Sequence, residues 1–354
     1  MHVLRRIAAA ALASAIVAGS LSSATRSDAA AGSSRPIPVI YDSDLDFDDA
    51  STLAYLCEEH KLGRIDLRAV TVNNDGFGKP QRTLRHARSV LEQCGLPQIP
   101  IAEGATGAGV HPAPAELVTT IENVLSGALG DAGLPPYQAS LSAPELIART
   151  VEHSARPVTI VATGPLSNLA AALGSRRVAE RIERIQIMGG ALNVPGNLYG
   201  SALPGYDNSQ EFNMWLDPVS AQAVLCRARA GSIRMVPLDA TAHVPITQAF
   251  VARLAADQHA PGAALAYSIV SQPDLAALID LGIMYWWDAL AAVSAVHDDG
   301  TITTFSGVRI EVTQTGEQSG RTVITPAGRP VQAASGADAG VFEQRFVDSL
   351  NGRP

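Results

Sequence analysis

The sequence predicts an α/β protein with a Rossmann-like, mostly parallel sheet flanked by helices. Short apolar runs alternate with segments of helical periodicity, and 47% of the 354 residues are hydrophobic, which is ample for a buried core. Strands that alternate with helices indicate βαβ units with right-handed crossovers. Polar clusters directly follow several of the apolar runs. Since ligands of such sheets bind beyond the carboxyl ends of the strands, a functional site is expected at these clusters.

The residue patterns assign the elements in chain order. Short apolar runs, rich in β-branched residues, predict strands at 38–41, 67–72, 99–102, 158–163, 185–188 and 233–238. Apolar residues at helical spacing predict helices at 50–59, 82–93, 144–153, 168–173 and 288–296. Pro144 suits the first turn of its helix, because a helix needs no backbone donor there.

Two further stretches have distinct patterns. Alternating segments on both sides of Thr315-Gly316 predict a small C-terminal β-hairpin within 301–324, and 331–350 returns to strand, turn and helix. Residues 105–140 are rich in Gly, Pro, Ala and Ser and are predicted to form a long, partly ordered excursion. The sequence shows no internal repeat, and its length is compatible with two average domains or with one large α/β domain.

Charge and cysteine content exclude several classes of protein. The net charge of −8 and pI near 5.5 argue against a nucleic-acid binder, which needs a basic surface. The chain has only two lysines, Lys61 and Lys79. Its three cysteines are too few for a disulfide framework, and at most one pair could bridge.

Residues 1–30 resemble a secretory signal peptide. Arg5 and Arg6 precede an apolar run over 7–21, and small residues follow as far as 29–31. The run is shorter than the roughly 20 apolar residues that a membrane span needs. We therefore expect cleavage near 29–31, a secreted or periplasmic mature protein, and no membrane association after cleavage.

An acidic cluster follows the first predicted strand. Five carboxylates fall within eight residues, at Asp42, Asp44, Asp46, Asp48 and Asp49. Crowded anions repel unless a cation neutralises them, and oxygen ligands without Cys or His favour Ca²⁺ or Mg²⁺. A solvated turn with one Asp capping the next helix is the simpler alternative. Five carboxylates at the end of a buried strand favour the metal site.

Four segments together resemble the inosine–uridine-preferring nucleoside hydrolase family. The cluster matches its DxDxxxDD signature, although Leu45-Asp46 replaces the usual Pro-Gly. Residues 161–168, VATGPLSN, are similar to the family's ATGPLTN strand end. The other matching segments are MGG at 188–190, GN at 196–197, EFN at 211–213, DP at 217–218 and WD at 287–288. The resemblance covers about 37–350 and implies a single nucleoside-hydrolase-type catalytic domain over 35–352.

The resemblance also implies a site for calcium-dependent hydrolysis of the N-glycosidic bond of ribonucleosides, which yields free base and ribose. The implied Ca²⁺ ligands are Asp44, Asp49, Asp288 and the carbonyl of Thr163, and the ion would orient the attacking water and bind ribose hydroxyls. Asp44 is implied as the general base. The residues implied or suited to bind the sugar are Asp48, Asn197, Glu211 and Asn213, with Asn74 as a weaker candidate because simple turn chemistry explains it equally well.

The residue before the last calcium-binding Asp indicates which nucleobase the site accepts. Pyrimidine-accepting or nonspecific family members have a His there, as a possible acid, whereas Trp287 resembles the purine-specific members, which stack the base between aromatic rings. The resemblance therefore implies a preference for purine nucleosides. A second stacking residue is expected, and Tyr137, Tyr199 and Tyr206 are the candidates. His243 is interpreted as a loop histidine rather than a leaving-group acid.

Two other functions are compatible with parts of the pattern. A haloacid-dehalogenase-like phosphatase also begins with a strand and DxD, but it needs a downstream lysine, and Lys61 and Lys79 both lie close to the first motif. A secreted Ca²⁺-dependent nucleoside- or sugar-binding protein without turnover is the non-enzymatic alternative. The sequence leaves the oligomeric state open, with a homodimer or a homotetramer both compatible.

Overall fold

The computed structural model describes residues 35–107, 109–135, 137–198 and 208–354. The predicted signal peptide and the candidates Tyr199 and Tyr206 lie outside this part of the chain. Within it, no single helix is both long and apolar enough to cross a membrane. One bent pair of helices, Pro261–Val270 and Pro273–Asp280, meets the length and composition criteria together, with a 72° bend between them.

The centre of the fold is a nine-stranded sheet in the described residues. Its strands are β1 Ile37–Ser43, β2 Ile65–Val72, β3 Ile101–Glu103, β4 Val158–Ala162, β5 Ile182–Met188, β6 Ile233–Val236, β7 Phe305–Val312, β8 Thr322–Ile324 and β9 Arg329–Ala334. The order across the sheet is β3-β2-β1-β4-β5-β6-β9-β7-β8. The pairs from β3 to β9 are parallel, and β7 pairs antiparallel with both β9 and β8. The predicted α/β class with a mostly parallel sheet is thus confirmed.

Helices cover both faces of the sheet. They are α1 Phe47–Lys61, α2 Arg82–Gln93, α3 Ala115–Leu129, α4 Ala143–His153, α5 Ser167–Ala172, α6 Arg176–Glu180, α7 Phe212–Leu216, α8 Pro218–Arg227, α9 Leu238–Thr241, α10 Gln248–Ala256, α11 Pro261–Val270, α12 Pro273–Asp280, α13 Trp287–Val296 and α14 Ala339–Leu350. Side chains alternate along β1, so Val39 and Tyr41 join the core on one face and Ile40 joins the core on the other.

Helix α3 corrects one prediction from the sequence. The stretch 105–140 was expected to be a partly ordered excursion, but it contains a helix of 15 residues. Val118, Ile121, Leu125 and Leu129 recur at spacings of three and four and are buried against the rest of the protein. The flanking Gly and Pro residues obscured this periodicity.

The predicted hairpin is present as β7 and β8. It extends the main sheet, because β7 also pairs with β9 over Phe305–Ile310.

The first turn of α1 carries part of the acidic cluster into the fold. Asp46 is the N-cap: its Oδ1 accepts hydrogen bonds from the amides of Asp48 at 3.1 Å and Asp49 at 3.2 Å. Asp49 completes a capping box by accepting from the Asp46 amide at 3.1 Å. Asp48 and Asp49 therefore lie at the positive end of a helix whose first 13 residues are buried.

Candidate active site

A cavity opens at the carboxyl ends of the central strands. Strand β1 lies between β2 and β4, and the pairing of Asp42 with Ala162 places the loops after β1 and β4 side by side. The lining residues are Asp44, Asp46, Phe47, Asp48, Phe77, Leu117, Ile121, Thr163, Met188, Asn197, Glu211, Phe212, Asn213, Leu278, Met284, Trp287 and Asp288. Nearly all the site residues expected from the sequence thus belong to or border one cavity.

Asp44 is held in a tight backbone cradle. Its Oδ2 accepts a hydrogen bond from the Phe77 amide at 2.7 Å. A Cβ on Gly76 would lie 1.9 Å from that oxygen, and a Cβ on Gly164 would lie 2.8 Å from Asp44 Oδ1. Both positions therefore require glycine, because any side chain there would displace the carboxylate.

Asp49 lies behind Asp44 and is fixed by two hydroxyl groups. Its Oδ1 accepts from Tyr41 Oη at 2.7 Å and from Thr163 Oγ1 at 2.6 Å. The carboxyl groups of Asp44 and Asp49 contact each other, and Asp49 also contacts Asp288. Asp49 therefore joins Asp44 and Asp288 in one carboxylate cluster.

Asp48 and Asp288 form a second contact in the same cluster. The Asp288 amide donates to Asp48 Oδ2 at 2.9 Å, which joins the start of α13 to the start of α1. Asp48 Oδ1 and Asp288 Oδ1 are buried and have no hydrogen-bond partner. Carboxylate oxygens of Asp46, Asp48 and Asp288 lie within 4.8 Å of one another.

Burial and mutual repulsion perturb the whole cluster. Burial raises the pKa of Asp48 to about 7 and, near the cluster, that of Asp42 to about 7. Burial, together with the charges of Asp49 and Asp46, raises the pKa of Asp44 well above its usual range. The pKa of Asp288 is raised in the same way by burial and by its carboxylate neighbours. A cation bound among these groups would offset the repulsion.

The donor set fits a hard divalent cation. Carboxylate and carbonyl oxygens are the ligands that Ca²⁺ and Mg²⁺ prefer, and the two unpartnered buried oxygens are unsatisfied without a ligand. Asp288 belongs both to the ligand set implied by the resemblance and to the compact group with Asp46 and Asp48. The sequence placed Asp46 in the acidic cluster but assigned it no role.

Three of the expected sugar-binding residues, Asn197, Glu211 and Asn213, form a polar wall of the cavity. Asn213 Nδ2 donates to the carbonyl oxygen of Thr163 at 2.9 Å, which leaves that oxygen a second lone pair. Glu211 caps α7 by accepting from the amides of Asn213 and Met214, and it also accepts from the Gly190 amide. Asn197 Oδ1 accepts from the Phe212 amide at 2.9 Å. The polar wall is thus prearranged by backbone contacts.

Asn74 lies apart from the lining residues. Its Nδ2 donates to Glu103 Oε2 and to the Gly104 carbonyl, both at 3.2 Å. These bonds tie the ends of β2 and β3 together. The local turn bond of this segment is made by Asn73, whose Oδ1 accepts from the Asp75 amide at 2.6 Å.

The aromatic residues separate into a cavity group and a core group. Trp287 lines the cavity, whereas Trp286 is fully buried against Phe250. Phe77 and Phe212 stack at 4.9 Å between ring centroids and also line the cavity. Sequence reasoning missed both, although each directly adjoins a polar motif at a strand or helix end.

Tyr137 and His243 do not line the cavity. Arg88 lies over the ring of Tyr137 at 4.4 Å. His243 is exposed and does not line the cavity.

The fold and the site together define an α/β protein with an acidic, cation-compatible centre at the carboxyl ends of its parallel strands. Comparison with known proteins gives the family. Residues 39–344 match the family model described as "Inosine-uridine preferring nucleoside hydrolase". The chain belongs to this family, whose members hydrolyse the N-glycosidic bond of ribonucleosides and are generally metal-dependent.

Curated relatives carry a more specific name. The chain is 36% identical over 226 residues to the pyrimidine-specific ribonucleoside hydrolase RihA of Salmonella enteritidis, a match that covers 62% of this chain and 66% of the relative. It is 37% identical over 193 residues to the protein of the same name from Salmonella typhi, covering 53% of this chain and 56% of the relative. The chain thus matches less than two thirds of these relatives' length.

Solved structures share the fold over nearly all of their length. An inosine-uridine preferring nucleoside hydrolase from Bacillus anthracis superposes with a TM-score of 0.74 at 22% identity, covering 89% of this chain and 99% of that chain. A purine-preferring ribonucleoside hydrolase from Gardnerella vaginalis gives 0.70 at 22% identity, covering 89% and 98%. At this identity the likeness concerns the fold.

Proposed function

We propose that this protein hydrolyses the N-glycosidic bond of ribonucleosides with Ca²⁺ bound at the acidic cluster. The observation that carries the proposal is the clustering of Asp44, Asp49 and Asp288, from two separate segments, beside Thr163, whose Oγ1 donates to Asp49. When bound, the divalent ion would supply Lewis-acid activation of water and chelation of the ribose hydroxyls.

Asp44 is proposed as the general base. Its position at the cavity wall lets it accept the proton of the attacking water, and its hydrogen bond from the Phe77 amide fixes the carboxylate for that task. Asp48 and Asn197 would bind ribose hydroxyls. Glu211 and Asn213 would present oxygen atoms to the positive charge that develops on the sugar as the bond to the base breaks.

The nucleobase of the substrate is proposed to lie against the apolar part of the cavity. Trp287 and Phe212 present aromatic surface, and Leu117, Ile121 and Met284 provide the apolar remainder. Stacking is worth about 1–3 kcal/mol per base in nucleic-acid complexes. A purine has the larger surface for such contacts, and we therefore propose a preference for purine nucleosides.

Export is part of the proposal. The signal-like pattern over residues 1–30 supports a secreted or periplasmic enzyme that acts on nucleosides outside the cytoplasm.

The general-base role of Asp44 is tested with Asp44→Asn, which keeps the shape of the side chain and removes its basicity. We expect kcat on inosine to fall by roughly 10²–10⁴-fold, the usual contribution of a general base. Asp66→Asn, at a half-buried carboxylate paired with the exposed Arg68, is the matched control and should keep full activity. Retained turnover in a folded Asp44→Asn protein contradicts the assignment.

The substrate is tested with a nucleoside panel in which released base is measured chromatographically, with calcium and with excess chelator. We expect inosine, adenosine and guanosine to give higher kcat/KM than uridine and cytidine, and Trp287→Ala to lose more purine activity than Trp287→Phe. The two curated relatives described above are named pyrimidine-specific, so uridine is the competing substrate. A preference for uridine over inosine would reject the purine proposal. Binding of inosine without release of hypoxanthine would favour the non-enzymatic alternative.

A further inference from the structure

The loop that leads into α1 differs from the family signature at two positions. Leu45-Asp46 stands where the signature has Pro-Gly. Leu45 has φ of +53° with its side chain buried, a conformation that proline cannot adopt. The loop therefore follows its own backbone path and places a carboxylate, Asp46, on the cavity lining.

Asp46 is held rigidly by its capping role. Its Oδ1 accepts from the Asp48 and Asp49 amides, and its own amide donates to Asp49 Oδ2. These bonds fix the orientation of the carboxyl plane, so that the group faces its neighbours without having to be ordered by a ligand.

One oxygen of each carboxylate next to Asp46 lacks a hydrogen-bond partner. Asp48 Oδ1 and Asp288 Oδ1 are buried in side chains that are 0% and 4% exposed, and neither oxygen has a hydrogen-bond partner. Oxygens of Asp46, Asp48 and Asp288 lie within 4.8 Å of one another. Three mutually repelling oxygen donors at this spacing are suited to a hard divalent cation.

We propose that Asp46 is an additional cation-binding residue of this protein, acting with Asp48 and Asp288 beside Asp44, Asp49 and Thr163. The inference extends the proposed function, since it concerns the same cavity. It assigns a role to a residue that the family signature does not include. Asp46 strengthens divalent-cation binding beyond what the signature carboxylates provide.

The test uses Asp46→Asn and Asp46→Ser, because Asn and Ser both retain helix capping and remove the charge. Asp338→Asn is the matched control: Asp338 caps α14 with a 2.9 Å bond from the Val341 amide, far along the chain from the site. Binding of Ca²⁺ is measured by isothermal titration calorimetry, and Tb³⁺ binding is measured by sensitised luminescence, both without nucleoside.

We expect both Asp46 variants to lose roughly 10- to 100-fold in Ca²⁺ affinity, a loss typical of removing a supporting group from a metal site. Asp338→Asn should bind like the unmodified protein. In excess chelator, the Asp46 variants should melt at the same or a higher temperature than the parent, because one repelling carboxylate has been removed. A purely capping residue would leave Ca²⁺ affinity unchanged.

Unchanged Ca²⁺ affinity in Asp46→Asn overturns the inference. So does a lower melting temperature in chelator, since it would mean that the Asp46 carboxylate stabilises the ion-free fold. Because no nucleoside is present, these results do not depend on turnover. An inactive protein that binds Ca²⁺ through Asp46 would reject the proposed function and retain this inference.

Discussion

At the scale of single residues, the site depends on close backbone approach as much as on its carboxylates. Gly76 and Gly164 contact Asp44 from two different loops, and neither has space for a side chain. The DxD pattern identified Asp44 from sequence alone. Gly76 and Gly164 were not predicted to contact Asp44, because the fold brings the loops after β1, β2 and β4 together and the sequence does not show that approach.

Replacing Gly76 with alanine should displace Asp44. A Cβ there would lie 1.9 Å from Asp44 Oδ2, so the carboxylate must move. A shift of about 1 Å can cost roughly 10²-fold in rate, and we expect a loss of kcat of that order with inosine as substrate. Gly133→Ala is the control, since a Cβ there meets nothing within 4 Å. Equal kcat in the two variants would show that Asp44 tolerates movement.

At the scale of elements, α3 connects the cavity to a buried ion network. Leu117 and Ile121 of α3 line the cavity, and the next residue, Glu122, contacts His86 of α2 at 3.3 Å. His86 Nδ1 also lies 2.7 Å from Asp131 Oδ2, beyond the end of α3. Two carboxylates on one buried imidazole indicate a doubly protonated ring that fastens α3 to α2.

The protonation of His86 predicts a pH dependence. Burial alone would lower the pKa of His86, but hydrogen bonds to Asp131 and Glu122 outweigh it and raise the pKa above 6.5. A raised pKa in the folded state stabilises the protein below pH 6.5, and this contribution is lost as pH rises through the folded-state pKa. The free energy of unfolding should therefore decrease as the pH rises from 6.5 through the folded-state pKa of His86.

His86→Asn should remove this dependence. We expect its melting temperature at pH 6 to be about 1–2 °C lower, because about 1 kcal/mol shifts a domain of this size less than one of about 150–250 residues. The difference should shrink toward pH 9. His153→Asn, at an exposed histidine, should follow the parent at every pH. A constant difference between His86→Asn and the parent from pH 5.5 to 9 would contradict the charged-imidazole interpretation.

Element prediction succeeded where periodicity was uninterrupted. Helix 82–93 was predicted with the bounds that α2 has, and β1, β2 and β4 were placed to within two residues at each end. Helix α3 was missed because Gly and Pro dominate its flanks. Phe77 and Phe212 were missed as cavity residues because a lone aromatic next to a motif is compatible with core packing as well.

At the scale of the whole molecule, one cavity gathers groups from distant parts of the chain. The segments that contribute are the loop after β1 with the start of α1, the end of β4, the start of α7 and the start of α13. The alternation of strands and helices predicted that such segments meet at one edge of the sheet. It could not predict which carboxylate oxygens would remain unpartnered, since that depends on side-chain orientation.

Carboxylates from the loop after β1, from α1 and from α13 repel one another in this cavity. A Ca²⁺ ion bound among them should therefore stabilise the entire fold. A ligand that binds only the folded state at 100 times its Kd adds about 2.7 kcal/mol. We expect a clear rise in melting temperature with millimolar Ca²⁺ over excess chelator, followed by calorimetry or circular dichroism. Asp288→Asn should show a much smaller rise. An identical melting curve with and without Ca²⁺ in the parent protein would exclude a bound structural or catalytic ion.

The direction of β1 has a practical consequence. Ile37 lies at the amino end of β1, and the chain then runs toward Asp44, beyond the carboxyl end of the strand. A tether or affinity handle fused ahead of Ile37 would emerge on the side remote from the cavity mouth. Protein immobilised through that end would present its opening to the solution, a suitable orientation for a flow reactor or a surface-based sensor.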